Sequence, residues 1–523
     1  MPVKISVLVN ESNRSDLNRN AFKVVRVLGN TTTLAWILIV LGAIVRLRIY
    51  LACRSLWSDE AMLTLNLLHK PLKTLLTKRL DYQQAAPPGF LLLEKCVIAA
   101  FGSSEYSLRL LPLLSGIVSI FLVYLLAKRL TTIWPTIVAV AMTAFSKGLI
   151  EQTVFVKQYQ TDVAITLLIL LTAIPLLGAT SLRIRSLLIF SITSANAIWC
   201  SHPAAFTVVG VSTALVIHHA ISKRWKDAGR IALASLPAAI SLLAEYFLIL
   251  RSLESSNYLH TFWISGFLPL PLRFGSAVKW FVTVAPLLMV SPGGYKIWGV
   301  APACFILGLI YLWRRDKPVL LLLLMPIVVV MFAAAIQKYP FTSRLALFAL
   351  PPLFLVSSIG IGWLLQRPKF GICKIVGVIL ALLLLIPSMA RACVWMVEPE
   401  PLEEIKPVLA YVHDHMQPND ILCIYRPTQP AFFYYQSRAG LSSAHLYLCQ
   451  GTDAKSQEAD VHNLIGHSRV WVIVTHDHPA SEVSEARPMM DELIKDGTVL
   501  EKFSDRDHTA RASLYDLSKG SAH

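Results

Sequence analysis

The sequence predicts a polytopic α-helical membrane protein of about eleven transmembrane helices with a C-terminal extracytoplasmic α/β domain. Three observations predict it. The chain is 55% hydrophobic and only 15% charged, more apolar sequence than one soluble core can bury. Apolar runs close to the roughly 20 residues that a 30 Å hydrocarbon layer requires recur from Leu34 to Ala390. Beyond residue 395 no such run remains, and most of the histidines are found there.

Residues 1–30 carry Arg14, Arg19, Lys23 and Arg26 without a short cleavable signal, so they read as a cytoplasmic tail. Residues 31–394 form the membrane domain, with spans expected near 31–50, 106–127, 132–147, 162–180, 186–201, 203–221, 231–251, 298–313, 318–336, 344–365 and 372–391. Two longer stretches, 50–105 and 252–297, read as loops. In the first, Pro87 and Pro88 open an apolar segment, Phe90 to Phe101, too short to span and suited to an interface helix.

Charge sets the orientation. Alternate short loops hold Lys128 and Arg129, Arg183 and Arg185, Lys223, Arg224, Lys226 and Arg230, Arg314, Arg315 and Lys317, then Arg367, Lys369 and Lys374. The intervening short loops hold only Lys147, Lys157, Lys338 and Arg344. The basic loops are cytoplasmic by the positive-inside rule, and an odd number of spans leaves residues 395–523 outside a plasma (inner) membrane. The net charge of +16 is dispersed over these flanks with no interleaved aromatic residues, so membrane topology explains it and nucleic acid is not an expected partner. No solenoid repeat, low-complexity tract or inverted transporter-like repeat is visible.

In the C-terminal segment Leu402 to Met416 and Pro488 to Asp496 read as helices, and Asp420 to Tyr425 and Val470 to Thr475 as buried strands. Eight cysteines lack paired metal spacing, and Cys423 and Cys449 are candidates for a disulfide.

The candidate chemistry lies in the outer loops. Asp59 and Glu60 follow the first span directly, in Ser55-Leu56-Trp57-Ser58-Asp59-Glu60-Ala61. A carboxylate there can serve as general base to an acceptor hydroxyl, or it can be an acidic first-turn residue favoured by the helix dipole. A second polar cluster runs from Glu151 to Asp162. Asp162 heads an apolar span, where an ionisable residue is a functional candidate, capping being the alternative. Lys157 can pair with Asp162, meet an anionic ligand or reach to the interface. Gln158 and Tyr159, between them, are candidates for substrate contact. Arg344, ending the turn Tyr339 to Arg344, can grip phosphate with paired donors or anchor the interface. Arg46 and Arg48 read as snorkelling side chains and Ser201-His202-Pro203 as a turn. The triplets His413 to His415 and His476 to His478 have no further ligand at zinc spacing and read as surface residues.

Together these motifs resemble the GT-C glycosyltransferases, specifically the family that includes protein O-mannosyltransferases and the lipid A aminoarabinose transferase. The resemblance covers mainly residues 30–205. It rests on Leu56 to Glu60, on Ala86-Pro87-Pro88-Gly89-Phe90-Leu91-Leu92-Leu93, on Ser104 to Pro112, and on Val156 to Asp162, which looks like the second acidic position of these enzymes. Tyr339 to Arg344 looks like a late loop of bacterial relatives. Ala86 stands where many relatives place a His before the double Pro.

The resemblance implies transfer of a sugar, with inversion, from a polyprenyl-phosphate donor to a lipid, glycan or protein acceptor on the extracytoplasmic side. Asp59 would be the base or acceptor-positioning carboxylate, with Asp162 and Glu60 supporting it. Lys157 or Arg344 would supply the positive charge that the departing phosphate needs. No cofactor is expected, and the lack of a compact acidic motif disfavours a divalent metal. The alternative is a transporter or lipid flippase, whose charges usually lie near the midplane on broken helices, whereas here they gather at one face.

Overall fold

The computed structural model describes all residues except 1–31, 179–180, 252–256, 272, 298, 367–370, 401, 478–484, 507 and 519–523. The expected cytoplasmic tail, with Arg14, Arg19, Lys23 and Arg26, lies outside the described residues, as do Arg367, Lys369 and His478. Among the described residues, eight helices are long and apolar enough to cross a membrane: Thr32–Leu51, Leu110–Leu130, Tyr159–Leu177, Ala204–Ile221, Trp225–Leu250, Lys317–Ala335, Ser343–Leu365 and Gly371–Val397. Ile133–Phe145 and Lys147–Val154, bent by 56° where they meet, make a ninth if they count as one span.

Against the expected count of about eleven, eight or nine full-length spans are found among the described residues, beside the shorter apolar helices Ile184–Cys200 and Phe274–Val290. Ile184–Cys200 and Val300–Arg315, both counted from sequence, are helices of only 17 and 16 residues. Ser201-His202 cuts the first apolar run short, and Arg314-Arg315 lies within the second. The 252–297 stretch, read as a loop, contains the apolar helix Phe274–Val290. Its flanks reach the Tyr339–Arg344 turn and the bend of the broken span: Phe341 N donates to Gly266 O (2.8 Å) and Gly148 N to Pro292 O (2.9 Å).

Lipid offers no hydrophobic drive for helix association, so close approach at small residues does the packing. A Cβ on Gly308 would lie 1.9 Å from Val356 O, and one on Gly360 2.3 Å from Cys304 O, so Val300–Arg315 and Leu350–Leu365 touch backbone to backbone. Arg46 departs from the snorkelling expectation. It is fully buried and donates to Gly42 O (3.1 Å), Thr143 O (3.1 Å) and Ala144 O (2.8 Å), satisfying carbonyls left open at the end of Ile133–Phe145. Its charge sits at the negative end of that helix dipole, which holds it inward.

The C-terminal segment folds around a five-stranded sheet ordered β2-β1-β3-β5-β4. Its strands are β1 (Ile421–Ile424), β2 (His445–Leu448), β3 (Val470–Val474), β4 (Thr498–Ser504) and β5 (Arg511–Asp516). β1 pairs in parallel with β2 and β3, while β5 runs antiparallel to β3 and β4. Helices Ile405–His415 and Arg487–Asp496 match the two expected from sequence. Cys423 and Cys449 are buried free thiols with their sulfurs 3.1 Å apart.

This sheet domain is fused to the first loop. Leu56, Leu63, Leu67 and Phe90 share one core with Val408, Leu409, Phe432 and Tyr435. Ser55 N and Oγ donate to the Glu404 carboxylate (3.1 and 2.9 Å), Leu56 N donates to Tyr435 Oη (2.8 Å), and Ser58 Oγ to Pro427 O (2.9 Å). Helix Ser58–His69, which carries Asp59 and Glu60, is thereby clamped between membrane domain and sheet domain.

Candidate active site

Trp57 is extended (φ −65°, ψ 154°), and the chain turns into helix Ser58–His69 immediately after it. Asp59 and Glu60 therefore sit in the first turn, one hundred degrees apart around the axis, and meet different surroundings.

Glu60 faces inward and its carboxylate is fully engaged. Arg109 donates to it twice, Nε to Oε1 at 2.9 Å and Nη2 to Oε2 at 2.8 Å, with both side chains buried. Val156 N donates to Oε1 (2.9 Å) and Trp57 N to Oε2 (3.2 Å). Arg109 also donates to Arg54 O (2.7 Å) and Ser55 O (3.0 Å). Glu60 and Arg109 thus tie the first loop to the second polar cluster, and the Val156 contact fixes the residue before Lys157.

Asp59 meets two cations. Lys157 Nζ donates to Oδ1 at 2.9 Å, Gln84 Nε2 donates to the same oxygen at 3.1 Å, and Arg344 Nη2 lies 2.8 Å from Oδ2 as an ion pair. Lys157 also donates to Gln84 Oε1. Lys157 is 4% exposed. The Arg344 guanidinium lies 5.7 Å from the ring centre of Trp57, 5.5 Å from Tyr159 and 5.3 Å from Trp263, an aromatic cage for a cation. Burial alone pushes the Asp59 carboxyl up, but Lys157 and Arg344, with hydrogen bonds from Lys157 and Gln84, hold it well below the usual carboxylate range. Burial draws the Lys157 ammonium down, against the pull of Asp59.

The long-range pairing of Lys157 with Asp59 replaces the local pairing with Asp162 allowed by sequence. Gln158 Nε2 donates to Ala85 O (3.2 Å), anchoring the loop that carries Gln84. Among the described residues, no hydrogen bond or ion pair joins Asp162 to Asp59, Lys157 or Arg344. It is buried one helical turn beyond Tyr159, beside Ser201. Asp59, Lys157, Arg344 and Tyr159 are therefore brought together, while Asp162 lies next door.

Sequence reasoning missed Gln84, Arg109 and a contribution from the sheet domain. Trp57 Nε1 donates to Glu403 Oε1 (2.6 Å), and His476 Nδ1 lies 2.7 Å from the same oxygen, with the His476 ring against Trp57. Glu403 and His476 both have left-handed backbone, φ 43° and 60°, a strain tolerated where surrounding contacts fix the residue. The presence of Gln83-Gln84 before the double Pro was the available signal for Gln84; nothing local marks Glu403.

His413 is exposed beside Asp414, and His415 stacks on Tyr411. Among the described residues, the one trio close enough to share an ion is His462, Glu492 and Asp496, on the sheet domain and away from Asp59.

Residues 85–248 match the family model of dolichyl-phosphate-mannose-protein mannosyltransferases. No curated protein matches in sequence. Among solved structures, ArnT from Cupriavidus metallidurans bound to undecaprenyl phosphate superposes with a TM-score of 0.52 at 14% identity, covering 93% of this chain and 99% of that one. Its apo form gives 0.54 at 12% identity, covering 95% and 100%. The apo oligosaccharyltransferase of Archaeoglobus fulgidus gives 0.48 at 10% identity, covering 84% and 69%. The chain shares the fold of the ArnT structures, and its residues 85–248 are similar to the dolichyl-phosphate-mannose-protein mannosyltransferases.

Proposed function

We propose that the chain transfers a sugar from a polyprenyl-phosphate donor to a lipid, glycan or protein acceptor at the face carrying Asp59, the extracytoplasmic face of the plasma membrane. The observation that carries this reading is the charge count of the site. A buried cation, Lys157, and a partly buried one, Arg344, share one carboxylate, Asp59. One positive charge is left over in a poorly solvated place, and an anionic ligand would balance it. The neighbouring ArnT structure holds undecaprenyl phosphate, a ligand of that chemistry.

In this reading the donor phosphate takes Lys157 and Arg344 from Asp59. The acceptor oxygen attacks the anomeric carbon as the bond to the phosphate oxygen breaks, and the departing electron pair stays on the phosphate, held by both cations. Attack opposite the leaving group inverts the anomeric centre. Freed from its cations, Asp59 keeps the Gln84 hydrogen bond and the upward push of burial, and its basicity rises toward that needed to accept the acceptor proton. Tyr159, stacked beneath Arg344, and Gln158 contact the substrate, Glu60 positions Lys157 through Val156, and the sheet domain, fused to the first loop, presents the acceptor.

A flippase would also bind polyprenyl phosphate, but it gains nothing from a clamped carboxylate where the sugar meets phosphate. The test is transfer of label from polyprenyl-phosphate sugars to a membrane extract by wild type and Asp59→Asn at equal abundance. Transfer by the wild type alone supports the reading. Transfer retained by the variant removes Asp59 from the mechanism.

A further inference from the structure

One helical turn from the phosphate-binding candidates lies a second polar centre with a different composition. Asp162, in the first turn of Tyr159–Leu177, is 4% exposed. Ser201, between helices Ile184–Cys200 and Ala204–Ile221, is 0% exposed, and Glu245, at the end of Trp225–Glu245, is 1% exposed. His202 Nδ1 lies 3.3 Å from Glu245 Oε1, out of line for a hydrogen bond. The ends of four helices meet here.

Among the described residues no well-aligned hydrogen bond satisfies Asp162 Oδ1, Ser201 Oγ, either His202 ring nitrogen or Glu245 Oε1, although Asp162 is within reach of Ser201 and His202 Nδ1 of Glu245. Buried polar atoms are normally paired, and two carboxylates at membrane depth are especially costly to leave so. A second, independent sign is the backbone. Directly after Glu245 the helix widens into a π-turn over Tyr246–Leu250, a feature common at functional sites.

The centre adjoins the Asp59 site on two sides. Asp162 is three residues from Tyr159, on the same helix face, and Tyr159 underlies Arg344. His202 is four residues from Phe206, whose ring lies 4.9 Å from Tyr339 in the turn that leads to Arg344. The set does not suit one metal ion, because Asp162, His202 and Glu245 are not among the described groups whose ligand atoms converge. It suits a ligand with several spaced hydrogen-bonding groups.

We propose that Asp162, Ser201, His202 and Glu245 form the subsite for the donor's sugar ring, and that it takes a neutral, hydroxyl-rich sugar and rejects an acidic one. This rests on the reading of Lys157 and Arg344 as the phosphate grip. Each carboxylate accepts from sugar hydroxyls, while Ser201 and His202 both donate and accept. Neither Lys nor Arg is among the four, so a uronate would bring a third carboxylate beside two with no counter-charge.

The test is equilibrium binding to the purified full chain in lipid nanodiscs. The probes are bare polyprenyl phosphate, its glucosyl, mannosyl, galactosyl and arabinosyl derivatives, and its glucuronosyl and galacturonosyl derivatives. Wild type is expected to bind at least one neutral donor tenfold more tightly than bare polyprenyl phosphate and than either uronate. Glu245→Gln and Ser201→Ala, each checked for folding by size-exclusion chromatography, are expected to erase that preference while binding bare polyprenyl phosphate within twofold of wild type. Preference for a uronate, no preference for any neutral donor, or full preference kept in both variants overturns the proposal. So does an equal loss of bare-lipid binding in both variants, which marks a structural role. Failure of wild type to bind bare polyprenyl phosphate instead sinks the phosphate reading on which this one stands.

Discussion

Replacing Asp59 by Asn should abolish transfer and yet tighten the grip on polyprenyl phosphate. The carboxylate and the donor phosphate compete for Lys157 and Arg344, which lie 2.9 and 2.8 Å from the two Asp59 oxygens. Asparagine keeps the shape and the Gln84 contact but raises the local charge from +1 to +2. A phosphate seated on the same two cations lies about 6 Å from the carboxylate, where a unit charge pair interacts by roughly 2.8 kcal/mol at an effective dielectric constant of 20. Screening and relaxation that halve this leave about 1.4 kcal/mol, or a tenfold lower Kd. Titrating labelled polyprenyl phosphate into wild type and variant in nanodiscs measures it directly, with the folded fraction counted by size-exclusion chromatography. Unchanged or weaker binding in a folded variant would refute the competition between carboxylate and phosphate.

Three further outcomes follow from the fold. Arg109→Ala leaves the buried Glu60 carboxylate without its counter-charge, and should cost about 3–5 kcal/mol of stability, seen as a lower Tm in detergent; a Tm within a degree of wild type would contradict that role for the pair. Gly308→Leu forces a side chain against Val356 O and should destabilise by about 1–3 kcal/mol or more, again read as Tm, while Gly178→Leu, with open space around it, should not. The third concerns pH. The Glu403 hydrogen bond raises the His476 pKa above its ordinary 6.5, against burial, with Glu485 and Asp59 adding to the rise. Because the folded value is the higher one, the stabilisation is complete below pH 6.5 and is lost as pH climbs through the raised folded value. Wild type should therefore lose Tm across neutral pH relative to His476→Ala, and parallel curves would show that the pair contributes nothing.

The parts of this protein written locally in its sequence were legible, and the parts made by long-range contact were not. Apolar runs marked the long spans because a helix that crosses lipid must be apolar along its whole length. Ile184–Cys200 and Val300–Arg315 match the expected 186–201 and 298–313 in length, and both are shorter than a full span at 1.5 Å per residue. The buried strands β1 and β3 were visible as continuous apolar runs, whereas β4 alternates half-buried and exposed residues and β2 is largely exposed, so neither stood out. At the site, Asp59, Lys157, Arg344 and Tyr159 were picked out as residue types in polar loops. Their grouping was not, because 98 residues separate Lys157 from Asp59 while Asp162 is five away. The sequence already favours Asp59 over Glu60 as the acting carboxylate, but that Glu60 is held by Arg109 is visible only in the fold. Arg46 shows the same limit from the other side: only the neighbouring helix end explains why it points inward.

The most direct test of the account is to follow both halves of a labelled donor in proteoliposomes that contain the purified chain and an acceptor-bearing extract. Labelled sugar is expected to leave the lipid-soluble donor and polyprenyl phosphate to be released in equal amount, with both signals absent for Asp59→Asn. Donor that stays intact while moving between the leaflets would contradict glycosyl transfer and identify a flippase.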